Sequence, residues 1–167
     1  MSDADTRRKL IEESWAAAWD RGDVDKLDEL LAPDYRRHGA DESQDLTQFK
    51  ASIVATRTAF PDLRTTIDEV VVEGDRAAVR WHSRGTHEHS LLGVPATKRS
   101  VEVSGATFAR FEGDLIAEDF VTWDPRSCGW SGQADAPAGG GPAGCGAVES
   151  AVRRVGAGIR RVVAAIR

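Results

Sequence analysis

Proton-transfer chemistry needs a carboxyl or an imidazole whose surroundings move its pKa toward the working pH. The stretch Leu115–Asp124, LIAEDFVTWD, offers one. Apolar and polar residues alternate through it, which is the period of a half-buried strand. Asp119, Val121 and Trp123 fall on one face, and Phe120, Thr122 and Asp124 on the other. If the Asp119 face is buried, desolvation raises the acid's pKa and poises it for catalysis. At a solvated rim Asp119 is an ordinary surface acid, the commoner fate of an aspartate. The histidines are His38, His82, His87 and His89. His38 follows Tyr35 closely, and His82 shares a strand face with Arg80 and Arg84, which is either the cavity side or the solvent side. His87-Glu88-His89 puts two imidazoles on one side of an extended chain, too few at a loop edge for a zinc site, so no metal is expected. The chain has no phosphate-binding loop, dinucleotide-binding glycine fingerprint or nucleophile elbow, and no cofactor is expected.

The elements that must position these groups come in two kinds. Ser2 or Asp3 caps a first helix running to about Arg21, with Gly22 as its stop. Ile11, Trp15, Ala18 and Trp19 share one face of it. A short helix over Val24–Leu31 stops at Ala32-Pro33, residues 34–39 are extended, and a third helix spans about Leu46–Phe60 before Pro61. The period then becomes two, with strands over Leu63–Glu73, Ala77–His87, Ser100–Phe111 and Leu115–Trp123. Two Gly-Asp turns and the loop Leu91–Lys98 join them. Helices followed by a meander predict an α+β domain: an antiparallel sheet with helices on its concave face.

Charge divides the chain. Residues 1–127 carry −8 and residues 128–167 carry +3, within a net −5. An acidic body lacks the basic face that nucleic acid requires. Two cysteines, Cys128 and Cys145, make neither a disulfide framework nor a metal motif. MSDADTRRKL has no apolar signal-peptide core and no run is long enough for a bilayer, so a cytoplasmic protein is expected. Residues 1–127 are expected to form the domain, and residues 128–147, rich in Gly, Ala and Pro, a flexible linker. Residues 148–167 are expected to form a basic amphipathic helix. Val148, Val152, Val155, Ile159, Val162 and Ile166 make its apolar stripe, with five arginines opposite. Such a helix can lie on a membrane surface, dock on an acidic protein surface or pair with its own copy; Gly156 and Gly158 weaken it.

Several segments together carry a resemblance. They are Trp15, Ala32-Pro33-Asp34-Tyr35 with His38, Ala59-Phe60-Pro61-Asp62-Leu63, Val72-Glu73-Gly74-Asp75-Arg76 and Val79-Arg80-Trp81. Arg84-Gly85-Thr86-His87, Leu92-Gly93-Val94-Pro95-Ala96-Thr97, Val103-Ser104-Gly105 and Trp123-Asp124 continue the series. Over about residues 8–125 the chain resembles the SnoaL-like polyketide cyclases (ester cyclases) of the ketosteroid isomerase-like, nuclear transport factor-like superfamily. The resemblance implies a cone: a strongly curved antiparallel sheet wrapped around N-terminal helices, enclosing a deep pocket. It also implies a homodimer or higher homo-oligomer formed through the sheet, and cofactor-independent aldol closure of a polyketide ester. In that family an aspartate on the last strand, after an aromatic residue, acts with a histidine on the preceding strand. Here those positions fall at Val121 and at about Thr107, so the expected acid is displaced to Asp119.

The expected mechanism is accordingly general. Trp15, Trp19, Tyr35, Phe60, Trp81, Thr107, Val121 and Trp123 line a pocket for an aromatic or cyclic carbonyl substrate. Asp119 moves a proton at the carbon beside the carbonyl, and His38 or His82 donates to the developing enolate oxygen. Two other expectations compete. One is a hydroxylase or an epoxide hydrolase on the same fold, the latter with Arg110 partnering Asp119; the other is a non-catalytic ligand-binding or protein-docking module working through the basic tail.

Overall fold

A computed structural model describes residues 3–39, 42–91 and 95–124. The expected linker 128–147 and tail helix 148–167 lie outside the described residues. Helix α1 spans Asp3–Ala16 and passes into a wider π turn, Ala17–Arg21. Gly22 ends it with φ 77°, a left-handed value that suits glycine. A 3-10 helix, Val24–Glu29, leads into β1, Leu31–His38. Strand β2 is Ser43–Asp45 and helix α2 is Leu46–Ala59. Asp45 and Gln48 form a reciprocal capping box at the start of α2, with bonds of 2.8 and 2.9 Å. Strands β3 (Arg64–Glu73), β4 (Arg76–Thr86), β5 (Ser100–Glu112) and β6 (Leu115–Asp124) follow.

The six strands form one sheet in the order β2-β1-β6-β5-β4-β3. Strands β3 to β6 make the expected antiparallel meander, but β1 runs parallel to β6, so the sheet is mixed. The expected helix through Leu31 is also shorter, ending at Glu29. Leu31 is already paired with Ile116, and the β1–β6 register slips before Arg36 pairs with Glu118. Pro33, which has no N–H for a ladder, lies within that slipped segment. This is why Ala-Pro did not interrupt the strand.

The curved sheet closes over the helices. Ile11, Trp15 and Ala18 from the N-terminal helix, and Phe49 and Ile53 from α2, pack on Tyr35, Val70, Val79, Ala109 and Phe111. Arg7 ties helix α1 to the sheet. Its guanidinium donates to the carbonyls of Gly74 and Gly113 in the two hairpin turns and lies 4.6 Å over the Phe111 ring. A second cluster, Ala59, Phe60, Leu63 and Leu91, packs beneath the loop that leaves β4.

Candidate active site

Parity sorts the side chains of β1 and β6. Arg36 pairs with Glu118, Arg37 with Asp119 and His38 with Phe120. Successive residues of a strand point to opposite faces. Arg37 and Asp119 therefore point inward, and their neighbours point out. Arg37 Nη1 donates to Asp119 Oδ2 at 3.0 Å, and both side chains are almost wholly buried. Phe49 of α2 covers Arg37, whose guanidinium lies 4.4 Å above its ring. Tyr35, also inward on β1, packs on the same ring at 5.9 Å between centroids and is fully buried.

The electrostatics follow from this burial. Loss of water raises the Asp119 pKa above its ordinary value, while Arg37, Tyr35 and His38 act against that rise. Burial likewise pushes the Tyr35 hydroxyl up, with the Asp119 charge adding to it, so the phenol stays neutral. Asp119 Oδ1 and the Tyr35 hydroxyl are buried and have no hydrogen-bond partner among the described residues. A buried polar atom without a partner costs about 1–3 kcal/mol, which makes such atoms candidates for a ligand or a water.

The inner face rises from this floor in rows. Val121 and Thr107 pair in the next row, and Trp123, Gly105 and Trp81 align in the row beyond. A Cβ on Gly105 would stand 2.6 Å from the Thr122 carbonyl oxygen and 2.7 Å from the Trp81 indole, so only glycine lets the indole lie across β5. Trp81 Nε1 donates to Thr107 Oγ1 at 3.1 Å. Trp81, Val121 and Trp123 face inward and are half-buried.

The expected site residues are thus divided. Asp119, Tyr35, Thr107, Val121, Trp81 and Trp123 share the inner face. Trp15 is a core residue of α1, and Trp19 packs between the two apolar clusters. Phe60 lies in the second cluster, stacked on His87 at 5.0 Å. The two histidines expected beside Asp119 are on the other side of the sheet. His38 stacks on Phe120 at 4.6 Å and faces Ser43 and Glu118. His82 lies 2.9 Å from Asp68. Strand parity keeps both imidazoles off the inner face, so neither is set to bond a substrate held on Asp119. Arg110 also faces out, 2.9 Å from Glu118, and the arginine beside Asp119 is Arg37 instead. Arg37 was legible only as a residue sharing a face with Tyr35, had residues 34–39 been read as a full strand. Among the described residues no group of three or more His, Cys, Asp or Glu side chains is arranged to hold a metal ion.

A model of the SnoaL-like polyketide cyclases matches residues 9–127. The chain belongs to the SnoaL-like polyketide cyclase family. Solved structures agree on its fold. TsrD from Streptomyces laurentii is 29% identical with a TM-score of 0.65, over 71% of this chain and 89% of that one. IdmH from Streptomyces antibioticus, proposed as a polyketide cyclase, is 27% identical with a TM-score of 0.64, over 73% and 94%. AclR from Streptomyces galilaeus, proposed as a hydroxylase, is 24% identical with a TM-score of 0.66, over 74% and 92%, a likeness of fold alone. No curated protein matches the chain. The family acts on small molecules, and no helix among the described residues is long and apolar enough to cross a membrane.

Proposed function

We propose that this chain is a small-molecule enzyme that moves a proton at a carbon next to a carbonyl, with Asp119 as the base. One observation carries the reading. Asp119 is buried on the inner face with one oxygen held by Arg37 and the other unpartnered. Arg37 favours the carboxylate over the acid, while burial makes that carboxylate more basic than one in water. The half-buried Trp81 and Trp123 suit a flat, ring-containing substrate. Aldol-type ring closure of a polyketide is the member of this reaction class that the family favours.

The test is catalysed exchange of the α-protons of 2-tetralone in D2O, followed by NMR. The wild type should exceed the buffer rate by about 10²–10⁴-fold, the usual contribution of a positioned acid or base. Asp119→Asn should return it to the buffer rate while the near-ultraviolet circular dichroism is retained. Full activity in Asp119→Asn removes Asp119 from the mechanism. A second reading rests on the Arg37–Asp119 pair, because a carboxylate beside an arginine can instead draw a proton from water for epoxide opening. Turnover of 1-methylcyclohexene oxide without tetralone exchange would favour it.

The outer face supports a homo-oligomer. His38, Phe120, Phe108, Ala78 and Val71 align in register across five strands. Phe108, Phe120 and Val71 are about half exposed and border a groove of about 270 Å³. A row of exposed apolar side chains on a sheet is what a second copy would cover.

A further inference from the structure

The outer face carries chemical groups that the inner site does not use. Ser43, His38 and Phe120 lie in one register row across β2, β1 and β6. Parity puts His38 on the outer face, and β2 is an edge strand of the sheet. His38 Nδ1 lies 3.0 Å from Ser43 Oγ. Across the ring, Nε2 lies 3.4 Å from Glu118 Oε2. The imidazole is stacked on Phe120 at 4.6 Å, and Arg110 Nε donates to the other Glu118 oxygen at 2.9 Å. A hydroxyl, an imidazole and a carboxylate thus stand in line, drawn from three strands, with the ring and the carboxylate each held by a neighbour. His87 also has a hydroxyl beside one nitrogen, Thr97 Oγ1 at 3.2 Å, but no carboxylate pairs with it among the described residues.

The line through His38 has the parts that make a hydroxyl nucleophilic. A serine is a weak nucleophile until an adjacent base takes its proton, and a third group orients that base. The carboxylate beside Nε2 favours the proton there, which leaves Nδ1 to accept from the Ser43 hydroxyl. The hydrogen bond from Arg110 leads the effects that hold Glu118 below its ordinary pKa, so it stays a carboxylate and stabilises an imidazolium beside it. Arg36 is exposed on the same face, diagonal to Ser43 across the β1–β2 pair, where its long side chain can meet charge on a bound acyl group. Ser43 itself is exposed, on the edge strand beyond the end of the apolar row.

We propose that Ser43, His38 and Glu118 form a second catalytic site, which transfers the acyl group of an activated ester to water. Ser43 is the nucleophile, His38 the base and Glu118 a positioning residue. Ser43 Oγ bonds to the ester carbonyl carbon and its proton passes to Nδ1. The bond from that carbon to the leaving oxygen breaks, and the leaving alcohol takes the proton from Nδ1. Water then bonds to the acyl carbon and gives a proton to Nδ1. The bond to Oγ breaks, Ser43 recovers the proton, and a carboxylic acid is released. None of this depends on Asp119.

The test is p-nitrophenyl acetate on the full chain, with nitrophenolate release followed by absorbance and the adduct located by peptide mass spectrometry. The wild type should carry an acetyl group on Ser43 during turnover. Ser43→Ala should lose both the adduct and the release above buffer, while Ser43→Cys, which keeps a nucleophile, should still be acetylated at position 43. His38→Gln should slow acylation about 10²–10⁴-fold, the usual worth of a positioned base. Glu118→Gln should lower the rate at saturating ester with KM unchanged, a split that a merely structural role would not give. Near-ultraviolet circular dichroism checks that each variant is folded. Acetylation that spares Ser43 in the wild type, that falls equally on exposed lysines, or that keeps its full rate in folded His38→Gln overturns the proposal.

Discussion

Glu118 and Asp119 are neighbours on one strand, and their chemistry is opposite. Glu118 faces out, where a 2.9 Å hydrogen bond from Arg110 leads the effects that lower its pKa. Asp119 faces in, where loss of water outweighs Arg37 and its pKa rises. Each acid has an arginine about 3 Å away. The difference lies in the solvent. Water screens and hydrates the outer pair, while the inner carboxylate relies on one guanidinium. An ion pair drawn as two residues and a distance therefore says little until the face it occupies is known.

The comparison breaks most sharply in catalysis. Asp119→Asn should bring 2-tetralone exchange down to the buffer rate, while Glu118→Gln stays within about twofold of wild type, given the usual 10²–10⁴-fold worth of a catalytic base. Equal losses in the two variants would mean that face does not matter. Stability comes next. Arg37→Met leaves a buried carboxylate without its cation and should cost about 3–5 kcal/mol at pH 7, read from urea unfolding. Arg110→Met, on the solvated face, should leave the urea midpoint nearly unchanged. A smaller loss, about 1–3 kcal/mol, is expected for Gly105→Ala, where the new methyl meets the Thr122 carbonyl and the Trp81 indole. Its tryptophan fluorescence should shift as the indole is displaced, and an unshifted spectrum at wild-type stability would contradict the packing of that row.

The smallest effect is a difference in pH dependence. The folded pKa of Asp119 lies above the ordinary 3.8, so as pH rises past 3.8 the unfolded chain releases that proton first. Its contribution to stability is therefore greatest below 3.8 and declines until pH passes the folded value. Glu118 has the opposite sign. Its folded pKa lies below 4.5, so its contribution is full above 4.5 and is lost as pH falls through the folded value. Urea midpoints from pH 3 to 7 should show the decline vanish in Asp119→Asn. A wild-type-minus-variant difference that does not vary with pH would contradict burial as the dominant cause.

Much of the scaffold was legible in the chain. The change of period at Pro61, the glycine turns at Gly74 and Gly113 and the alternation in Leu115–Asp124 are local signals, and the strands formed where they indicated. The face shared by Asp119, Val121 and Trp123 was equally local. The histidines were misjudged for a physical reason. Mid-strand parity says that His82 shares a face with Arg80 and Arg84, but not which face meets the helices.

The chain by itself determined most of the elements and the two families of faces, because each depends on residues within a few positions of one another. Tertiary structure alone decided that β1 lies parallel to β6. That pairing is made by backbone hydrogen bonds, which carry no side-chain label, and it brings together residues 82 positions apart. It set Arg37 against Asp119, placed Tyr35 beside them under Phe49, and turned His38 to the outside.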